Sequence, residues 1–478
     1  MTSVKRNTLP LVVDLDGTLI RTDLLLESFY AALRQNPFLI LRIPFWLMRG
    51  KATLKINLAM YAYIDSKTLP YHSAFLTYLK DEHARGRVLV LATASIKKYA
   101  DAIAAHLGIF NEVLATQGAF NLKGKNKLKT LVEKYGEKGF DYAGDDPADL
   151  HIFPHARKAI LVNPSVVTLK TAQEISDIEK VFQSENKISL KRLVKAMRLY
   201  QWVKNSLLFV PLMTSHNWDD SSILIQMALG FISFGMCASG GYIFNDLLDL
   251  NADRNHPRKK NRPFASGDIS IWRGSALMVA LQLGGLALAA FLNMEFLVLL
   301  VLYCAMSLAY TLYLKTYVLI DVLVLASLYT VRIVAGSILA EAPLSFWLFA
   351  FSIFIFFSLA LVKRCSELIA LSKADRKYAG GRDYSVSDVE YLREMGIASG
   401  YMAILIVAFY INSPDVILLY KNPKVLWLIC PILFYWVSRL WLKTGRGEMH
   451  DDPIVFSIKD KGSRFVGFTI AIIVLFAI

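Results

Sequence analysis

Charged residues are scarce in this sequence. Asp, Glu, Lys and Arg make up 19% of its 478 residues, against roughly 25% in a typical soluble domain. Apolar residues make up 55%, above the usual ~45–50%. This balance disfavours a wholly soluble enzyme. The length is roughly three times that of a common domain, so more than one folded unit is expected.

Cysteine is also rare. The four cysteines lie far apart, in or beside apolar runs, and none belongs to a CxxC pair: Cys237, Cys304, Cys365 and Cys430. Disulfide frameworks and zinc sites need closer and more regular spacing. We therefore expect these residues to be small core side chains.

Acidic residues are outnumbered by basic ones. The sequence has 53 Lys and Arg against 39 Asp and Glu, which gives a formal net charge of +14. Such an excess is typical of proteins that bind nucleic acid, an anionic membrane surface or phosphorylated substrates. The high apolar content favours the last two, so we expect no nucleic-acid partner.

The apolar pattern changes near residue 185, and we predict two domains, 1–185 and 186–478. In the first domain, short apolar runs of strand length alternate with stretches of helical period, which is typical of a parallel α/β unit. The run after Arg6 is too short for a signal peptide and soon reaches Asp14. We therefore expect the first domain to stay in the cytosol.

The second domain is predicted to be an all-α polytopic bundle in the membrane. Apolar stretches near the ~20 residues needed to cross a bilayer recur about nine times. They lie at 203–215, 222–243, 274–293, 294–314, 317–340, 345–362, 395–411, 425–442 and 464–478. The loops between them are alternately rich and poor in Lys and Arg. Because basic loops face the cytoplasm, these loops and the first domain are expected on the same side of the cytoplasmic (inner) membrane.

Two acids end the first predicted strand, in Leu11-Val-Val-Asp14-Leu-Asp16-Gly-Thr. At the carboxyl end of a parallel strand both can point into the crevice where α/β sheets bind ligands. The spacing suits phosphoryl transfer in which one carboxylate is the nucleophile, Mg²⁺ offsets phosphate repulsion and the second acid protonates the leaving alkoxide.

Other polar residues follow later strand-like runs, where they can hold a phosphoryl oxygen, a developing charge or a metal. They are Thr93, Ser95, Lys127, Asp145 and Asp149. The alternative is that the acids only cap loops. It is disfavoured because every strand-end position is filled.

In this order, DxDGT, a strand-end Thr, a Lys and GDDxxxD resemble the haloacid dehalogenase superfamily of phosphatases, over about residues 8–165. The resemblance implies a Rossmann-like α/β domain with a helical cap. It implies Asp14 as the nucleophile that forms an aspartyl-phosphate, Asp16 as the general acid/base, Thr93 and Lys127 as the phosphoryl-positioning pair, and Mg²⁺ bound by Asp14, Asp16 and Asp145, with Asp149 in support.

A helical insertion between the first two motifs contains a basic, aromatic segment at 37–48. Such a segment can lie on a membrane surface, and we hypothesise that it lets the phosphatase reach a lipid-linked phosphate. The alternative is an ordinary cap helix packed on its neighbours, and this alternative is favoured because many core helices have the same pattern.

The strongest motif follows the second predicted span. Asp246, Asp249 and Asp253 are spaced to share one face of a helix, with Asn245 beside Asp249. Three acids near a bilayer are costly unless a cation occupies them. Oxygen ligands without His or Cys suit Mg²⁺ shared with a diphosphate, and the basic stretch that follows can contact phosphates directly. A solvated polar loop is the alternative, and the helical spacing disfavours it.

NDxxDxxxD with about nine spans resembles the UbiA superfamily of intramembrane prenyltransferases. HPxKxxRP after the acids, QWVKN at 201–205 and KRCSE at 363–367 are similar to decaprenyl-phosphate phosphoribosyltransferases. The resemblance implies that polyprenyl phosphate attacks the anomeric carbon of phosphoribosyl pyrophosphate and releases pyrophosphate.

On this resemblance, Asn245, Asp246, Asp249 and Asp253 hold Mg²⁺, and Asp249 is also catalytic. Phosphate contacts are expected from Lys204, Arg254, His256, Lys259, Arg262, Lys363 and Arg364. A second motif, with Tyr310 and Lys315 as substrate-binding residues, has the single acid Asp321 as a metal ligand. This departs from the doubled acids of many aromatic prenyltransferases and leaves a second Mg²⁺ open.

Three further features have two interpretations each. Arg332 lies inside the fifth predicted span. In the functional interpretation it faces the cavity and either holds a phosphate or pairs with Asp321. In the other interpretation it forms a structural ion pair inside the bundle. The loops at 382–384 and 450–453 either close over the site or are simply solvated, and the solvated interpretation is favoured.

The sequence thus predicts a bifunctional membrane enzyme that makes a lipid-linked phosphoribose and removes its 5-phosphate. One alternative is an aromatic-acceptor prenyltransferase of quinone-type biosynthesis fused to an unrelated phosphatase. Another is a binding or transport bundle with a regulatory first domain. Polyprenyl chain length, the phosphatase substrate and the oligomeric state, including a homo-oligomer, stay open.

Overall fold

The computed structural model describes residues 9–118, 120–183, 190–215, 219–373, 382–449 and 452–478. The chain forms two compact units. The first unit contains Met1–Met197 and Tyr242–Met278, and the second contains Arg198–Gly241 and Val279–Ile478. The predicted domain division at 185/186 stays a prediction. The two compact units do not follow this division, because residues 242–278 pack with N-terminal residues.

The first unit contains a six-stranded parallel sheet. Its strands are β1 (Leu11–Val13), β2 (Leu89–Ile96), β3 (Glu112–Thr116), β4 (Asp141–Gly144), β5 (Ala159–Val162) and β6 (Ile178–Phe182). The spatial order is β3-β2-β1-β4-β5-β6, and Leu11 is in register with both Leu89 and Asp141. Ligands of such sheets bind where the strand order reverses, here at the carboxyl ends of β1 and β4. The α/β prediction is confirmed.

Up to residue 197 the first unit also contains helices, and those between β1 and β2 include the cap. They are α1 (Leu24–Gln35), α2 (Ile43–Met48), α3 (Lys51–Tyr61), α4 (Ser73–Ala84), α5 (Lys97–Leu107), α6 (Lys125–Tyr135), α7 (Val166–Ile175) and α8 (Leu190–Met197). The Asp23 side chain caps α1 by accepting a hydrogen bond from Leu26 N at 3.0 Å. Apolar clusters cover the strands, as expected for a parallel sheet buried on both faces.

The remaining helices are mostly long and apolar. They are α9 (Val210–Ser215), α10 (Ser221–Leu248), α11 (Leu250–Arg254), α12 (Ile271–Leu292), α13 (Met294–Leu312), α14 (Ile320–Leu339), α15 (Phe346–Lys373), α16 (Val389–Ile411), α17 (Pro414–Leu419), α18 (Ile429–Gly445), α19 (Pro453–Lys459) and α20 (Lys461–Ala477). In α14 the buried residues Val322, Ala326, Tyr329 and Ile333 recur at helical spacing and face the core of the second unit.

A membrane bundle is confirmed, but the count of nine spans is not. Among the described residues, seven helices are long and apolar enough to cross a membrane. The predicted first span forms a 3-10 helix at Leu199–Phe209 and the short α9, which has Pro211 at its start. The predicted last span forms α20, which has 17 residues. Both fall short of the ~20 residues that a helical span needs.

Candidate active sites

Three carboxylates meet at the carboxyl edge of the sheet. Ligand oxygens of Asp14, Asp145 and Asp149 lie within 4.8 Å of one another. Asp14 directly follows β1 and Asp145 directly follows β4, and the neighbouring strands hold them together through the Asp14 N to Ala143 O hydrogen bond of 3.0 Å. A cluster of hard oxygen ligands fits Mg²⁺. It is the only group of this kind in the described parts of the chain.

Lys127 and Tyr142 link two of these carboxylates. Lys127 Nζ donates to Asp14 Oδ1 at 2.6 Å and to Tyr142 OH at 3.1 Å, and Tyr142 OH donates to Asp149 Oδ1 at 2.7 Å. Lys127 is buried in the first turn of α6. It therefore places a fixed positive charge beside the predicted nucleophile, as phosphoryl transfer requires.

The pKa values at this edge reflect burial and crowding of like charges. Burial and then the Asp14 charge raise the pKa of Asp149 to about 6. The same causes raise the pKa of Asp145 well above its ordinary value. Burial lowers the pKa of Lys127, but the Asp14 and Asp149 carboxylates outweigh it and leave the pKa raised. Three acids and one cation leave an excess of negative charge, which a divalent cation would relieve.

Asp16 faces a different environment from the one predicted. Its Oδ1 accepts from Leu24 N at 2.9 Å, and its Oδ2 accepts from Ser95 Oγ at 2.7 Å. It is not in the carboxylate group, and Asp149 takes the third position that the prediction gave to Asp16. Burial and then the Asp23 charge raise the pKa of Asp16 to about 7. A carboxyl that keeps its proton near neutral pH suits a general acid.

The hydroxyl and glycine residues of the first motifs complete this site. Thr93 is fully buried, and its Oγ1 accepts from Ser95 N at 3.0 Å. Thr18 Oγ1 donates to Asp145 Oδ1 at 2.8 Å. Gly17 has φ +81°, and a Cβ at this position would overlap the Asp145 carboxylate. The turn after β1 therefore needs glycine for both its backbone conformation and its close approach to Asp145.

The acidic motif of the membrane domain lies at the end of α10. Asn245 Nδ2 donates to Asp249 Oδ2 at 3.1 Å. Arg262 Nη1 donates to both Asp246 Oδ1 at 3.0 Å and Asp253 Oδ2 at 2.7 Å. The helix is interrupted at Asp249, which lies between α10 and α11. Asp249 also forms an ion pair with Arg34 of α1 at 3.2 Å.

Within this motif the predicted metal ligands contact basic side chains. Burial raises the pKa of Asp253, although Arg262 opposes the rise. Burial lowers the pKa of Arg262, but the charges of Asp246 and Asp253 raise it further than burial lowers it. The oxygen donors fit Mg²⁺ in kind. A cation bound here would displace Arg34 and Arg262 from the carboxylates, and the freed guanidinium groups suit phosphate.

Arg254 is bound by protein groups, and its predicted phosphate contact stays a prediction. Its Nη1 and Nη2 donate to the two carboxylate oxygens of Glu27 at 2.9 and 2.6 Å, and its Nε donates to Ala265 O at 3.0 Å. The guanidinium is buried because it ties the loop to α1. His256 and Lys259, in contrast, are exposed in this loop, and the ring Nδ1 of His256 accepts from Lys259 N at 3.3 Å.

The second unit buries Asp321 against Arg364 and Tyr384. Arg364 Nη2 donates to one carboxylate oxygen of Asp321 and Tyr384 OH donates to the other. Tyr384 OH also accepts from Leu319 N at 2.9 Å. All three side chains are fully buried. The roles of Asp321 with a metal and Arg364 with a phosphate stay predictions, since here the two bind each other.

The loop at 382–384 is therefore docked and not simply solvated. Arg382 Nη1 donates to Glu367 Oε2 at 2.9 Å, and Asp383 N donates to Thr316 O at 3.1 Å. The favoured interpretation of this loop as solvated is wrong. Lys315 is buried beside Thr316, and Tyr310 is half-buried one turn earlier.

Arg332 does not pair with Asp321. The two residues are eleven positions apart on α14, which is about 16 Å along the helix. Arg332 Nε donates to Asn205 Oδ1 and its Nη2 donates to Tyr303 OH, both at 3.0 Å. Its guanidinium also lies over the rings of Phe234 and Tyr303. Cation–π contacts and neutral acceptors thus surround the charge.

Lys204 forms a buried ion pair with Asp452, next to the start of α19. Burial raises the pKa of Asp452, but the charges of Lys204 and Lys363 lower it further than burial raises it. The structure thus brings two predicted phosphate-binding lysines near one carboxylate. Asp452 is docked, which contradicts a solvated loop there, while His450 and Asp451 lie outside the described residues.

Sequence reasoning missed several of these residues. Tyr142 stands inside the fourth motif and could have been found there. Glu27 and Arg34 lie on an ordinary amphipathic helix, and nothing in their spacing connects them to residues more than two hundred positions away. Lys55 of α3 was also missed. Its Nζ reaches the end of β2 and donates to Ala94 O at 2.5 Å.

Comparison with known proteins assigns the two parts of the chain. The profile of the UbiA prenyltransferase family matches residues 206–459, and that of the haloacid dehalogenase-like hydrolases matches residues 11–153. The chain belongs to the UbiA prenyltransferase family. It carries a haloacid dehalogenase-like domain at its N-terminus, so both predicted resemblances are confirmed. The enzyme is thus a UbiA-type transferase joined to a haloacid dehalogenase-type phosphatase domain.

Several relatives share part or all of this UbiA-family chain. The "Uncharacterized protein y4nM" of Sinorhizobium fredii is 38% identical over 465 residues, which cover 97% of this chain and 90% of the relative. The "Nodulation protein NoeC" of Azorhizobium caulinodans is 32% identical and covers 58% of this chain and 90% of its own. A decaprenyl-phosphate phosphoribosyltransferase of Mycobacterium tuberculosis is 36% identical over 180 residues, 37% of this chain and 60% of the relative.

A solved structure also resembles the UbiA-family part. A UbiA homologue from Archaeoglobus fulgidus, bound to GPP and Mg²⁺, has a TM-score of 0.46 and is 16% identical. The match covers 59% of this chain and 99% of that chain.

Proposed function

We propose that this UbiA-family protein transfers 5-phosphoribose from phosphoribosyl pyrophosphate to a polyprenyl phosphate, and that its N-terminal domain removes the 5-phosphate of the lipid-linked product. Relatives named decaprenyl-phosphate phosphoribosyltransferase support the first step. The observation that carries the proposal is the contact of Arg262 with both Asp246 and Asp253. In this contact, a residue that we propose as a phosphate ligand lies beside two of the four residues that we propose as metal ligands.

In the transfer, a phosphate oxygen of the lipid attacks the anomeric carbon of the ribose. The bond from that carbon to the pyrophosphate oxygen breaks, and pyrophosphate leaves with the electron pair. Mg²⁺ held by Asn245, Asp246, Asp249 and Asp253 would neutralise charge on the leaving group. Arg262, Lys259 and His256 would contact its oxygens, Arg262 in a two-point mode.

In the second step, an Asp14 oxygen attacks the phosphorus of the 5-phosphate, and the bond to the ribose oxygen breaks. Asp16 gives its proton to that oxygen, so that an alcohol leaves and an aspartyl-phosphate forms. Water then attacks the phosphorus as Asp16 takes its proton, which regenerates Asp14 and releases phosphate. Lys127 and Thr93 position the phosphoryl oxygens. Mg²⁺ at Asp14, Asp145 and Asp149 would offset the repulsion between carboxylate and phosphate.

Both reactions are proposed on the cytosolic side of the cytoplasmic membrane. The alternation of basic loops supports this orientation. The acidic loop and the phosphatase site belong to the same compact unit. Fusion would keep the phosphorylated intermediate at an effective concentration of about a millimolar near the second site.

The test uses the full chain, labelled phosphoribosyl pyrophosphate, a polyprenyl phosphate and Mg²⁺, and follows label into organic extract. We expect Asp249→Asn to abolish extractable label. We expect Asp14→Asn to leave the label extractable but enriched in the 5-phosphorylated form. Asp219→Asn, an exposed acid outside both sites, is the matched control.

Two results would contradict the proposal. Extractable label that is undiminished in Asp249→Asn would remove the transferase assignment. Label that appears only as the 5-phosphorylated lipid in the unmodified protein would remove the lipid-linked product as the substrate of the phosphatase domain and leave the transferase in place.

A further inference from the structure

The segment at residues 37–48 exposes large apolar side chains. It forms a 3-10 helix at Pro37–Leu41, followed by α2, in which no residue is buried. The exposed fractions are 49% for Ile40, 68% for Leu41, 68% for Phe45, 49% for Leu47 and 85% for Met48. An apolar patch of this kind on a folded protein marks a binding surface.

This exposure contradicts the ordinary packed cap helix, which was the favoured interpretation of the sequence. Leu39 is buried, and Trp46 is half-buried with its ring stacked on Tyr61 at 6.3 Å. These two side chains fix the segment to the cap. The other large apolar side chains point outward from an anchored backbone.

The segment starts close to the ends of two candidate membrane helices. Tyr30 OH lies 2.7 Å from Ser275 Oγ of α12, and the Tyr30 ring lies 6.4 Å from that of Phe244 of α10. At the end of α1, Arg34 contacts Asp249, which directly follows α10. Two residues, Gln35 and Asn36, separate Arg34 from Pro37, which is at most about 11 Å of chain. The exposed segment therefore starts a short length of chain from residues that contact the ends of α10 and α12.

The charges around the patch are all of one sign. Arg42, Arg49 and Lys51 are exposed, and residues 35–62 contain no Asp or Glu. Basic side chains beside an apolar surface complement the negative charge of anionic headgroups. A second copy of the chain would meet the same positive charges, which disfavours it as the occupant.

We propose that residues 37–48 lie in the headgroup region of the bilayer, with Leu41, Phe45 and Met48 in the acyl boundary and Arg42 and Arg49 against anionic lipid. The geometry is that of an interfacial segment and not of a span. The same cap carries Lys55, whose Nζ contacts the end of β2 at Ala94 O. The cap that carries this segment thus also contacts a strand that leads to the phosphatase site.

The test is a depth measurement on the full chain in lipid nanodiscs that contain phosphatidylglycerol. Phe45→Cys and Met48→Cys are labelled with an environment-sensitive fluorophore. Val166→Cys is the matched control, because Val166 is 85% exposed and lies on α7 of the same unit. Label on the native cysteines, three buried and one half-buried, is subtracted using the unmodified chain.

We expect quenching by spin-labelled acyl chains to be at least about threefold stronger at positions 45 and 48 than at 166, with the opposite order for aqueous iodide. We also expect lipid quenching to fall in nanodiscs of phosphatidylcholine alone and in the Arg42→Glu, Arg49→Glu variant. Equal iodide quenching at all three positions would overturn the proposal. Protection from iodide without lipid quenching would overturn it in favour of a protein partner.

Discussion

Glu27 and Arg254 are 227 residues apart in the sequence and form a buried two-point ion pair. Thr22 Oγ1 supports it by donating to Glu27 Oε1 at 2.6 Å. Glu27 lies on α1 of the phosphatase cap, and Arg254 directly follows Asp253 of the acidic motif. The pair therefore joins the helical cap to the loop that carries the predicted metal ligands.

Replacing Glu27 by Gln is expected to destabilise the first unit and to weaken transferase activity. It leaves the buried Arg254 charge without its carboxylate, a loss of about 3–5 kcal/mol. The measurement is thermal unfolding of the detergent-solubilised chain together with the label-transfer assay. Glu133→Gln is the control, since Glu133 forms an exposed pair with Lys129. Equal unfolding temperatures for both variants would contradict a stabilising role of the buried pair.

Replacing Arg34 by Gln is expected to lower the Mg²⁺ concentration needed for half-maximal transfer. Arg34 contacts Asp249 at 3.2 Å and competes with a cation for that carboxylate. Because the pair is partly exposed, it contributes at most about 1 kcal/mol, so the shift should be about fivefold or less. The measurement is an Mg²⁺ titration, with Arg42→Gln as the control. A higher Mg²⁺ requirement in Arg34→Gln would contradict the competition.

The phosphatase is expected to lose activity as the pH rises above about 7, because Asp16 must be protonated to act as an acid and its pKa is about 7. The hydrogen bond from Ser95 lowers that pKa. Ser95→Ala should therefore raise the pKa and move the alkaline limb to higher pH. The measurement is hydrolysis of p-nitrophenyl phosphate at saturating Mg²⁺ across pH 5–9. The control is Ser73→Ala, an exposed position at which the alkaline limb of the pH profile should not move. An alkaline limb that is also unmoved in Ser95→Ala would refute this role of Ser95.

Gly17→Ala is expected to lower phosphatase activity by about 100-fold while label transfer continues. The added Cβ would overlap the Asp145 carboxylate, and the positive φ adds strain. Gly118→Ala separates the two causes, because Gly118 also has a positive φ but has nothing within 4 Å of an added Cβ. Similar losses in both variants would show that backbone strain, and not the contact with Asp145, is responsible.

Tyr384→Phe is expected to lower transferase activity and to destabilise the second unit by about 1–3 kcal/mol. It removes a donor to the buried Asp321 carboxylate and the acceptor of Leu319 N. Tyr391→Phe is the matched control, since Tyr391 is 73% exposed. Thermal unfolding and label transfer are measured on both. If Tyr384→Phe has the same unfolding temperature and label transfer as Tyr391→Phe, the docked loop contributes to neither stability nor transfer.

Much of the architecture could be predicted because its signals are local. Alternation of short apolar runs with helical stretches predicted the parallel sheet, and stretches of bilayer length predicted most of the membrane helices. The count of nine is not confirmed at 203–215 and 464–478, where hydropathy alone does not distinguish a 3-10 helix or a 17-residue helix from a span. The order of four motifs predicted Asp14, Lys127 and Asp145 at one edge, because parallel strands end on the same side of a sheet.

The sequence by itself determined which chemical groups are present and the strand or helix end on which each one lies. Only the tertiary structure decided their partners. In the folded chain Arg254 bonds to Glu27, and Asp16 bonds to Ser95. Asp321 bonds to Arg364 and Tyr384, and Arg332 bonds to Asn205 and Tyr303. The physical reason is that backbone periodicity acts over a few residues. A charge that is buried by packing, by contrast, takes whichever donor or acceptor the fold brings to it, however distant in the chain.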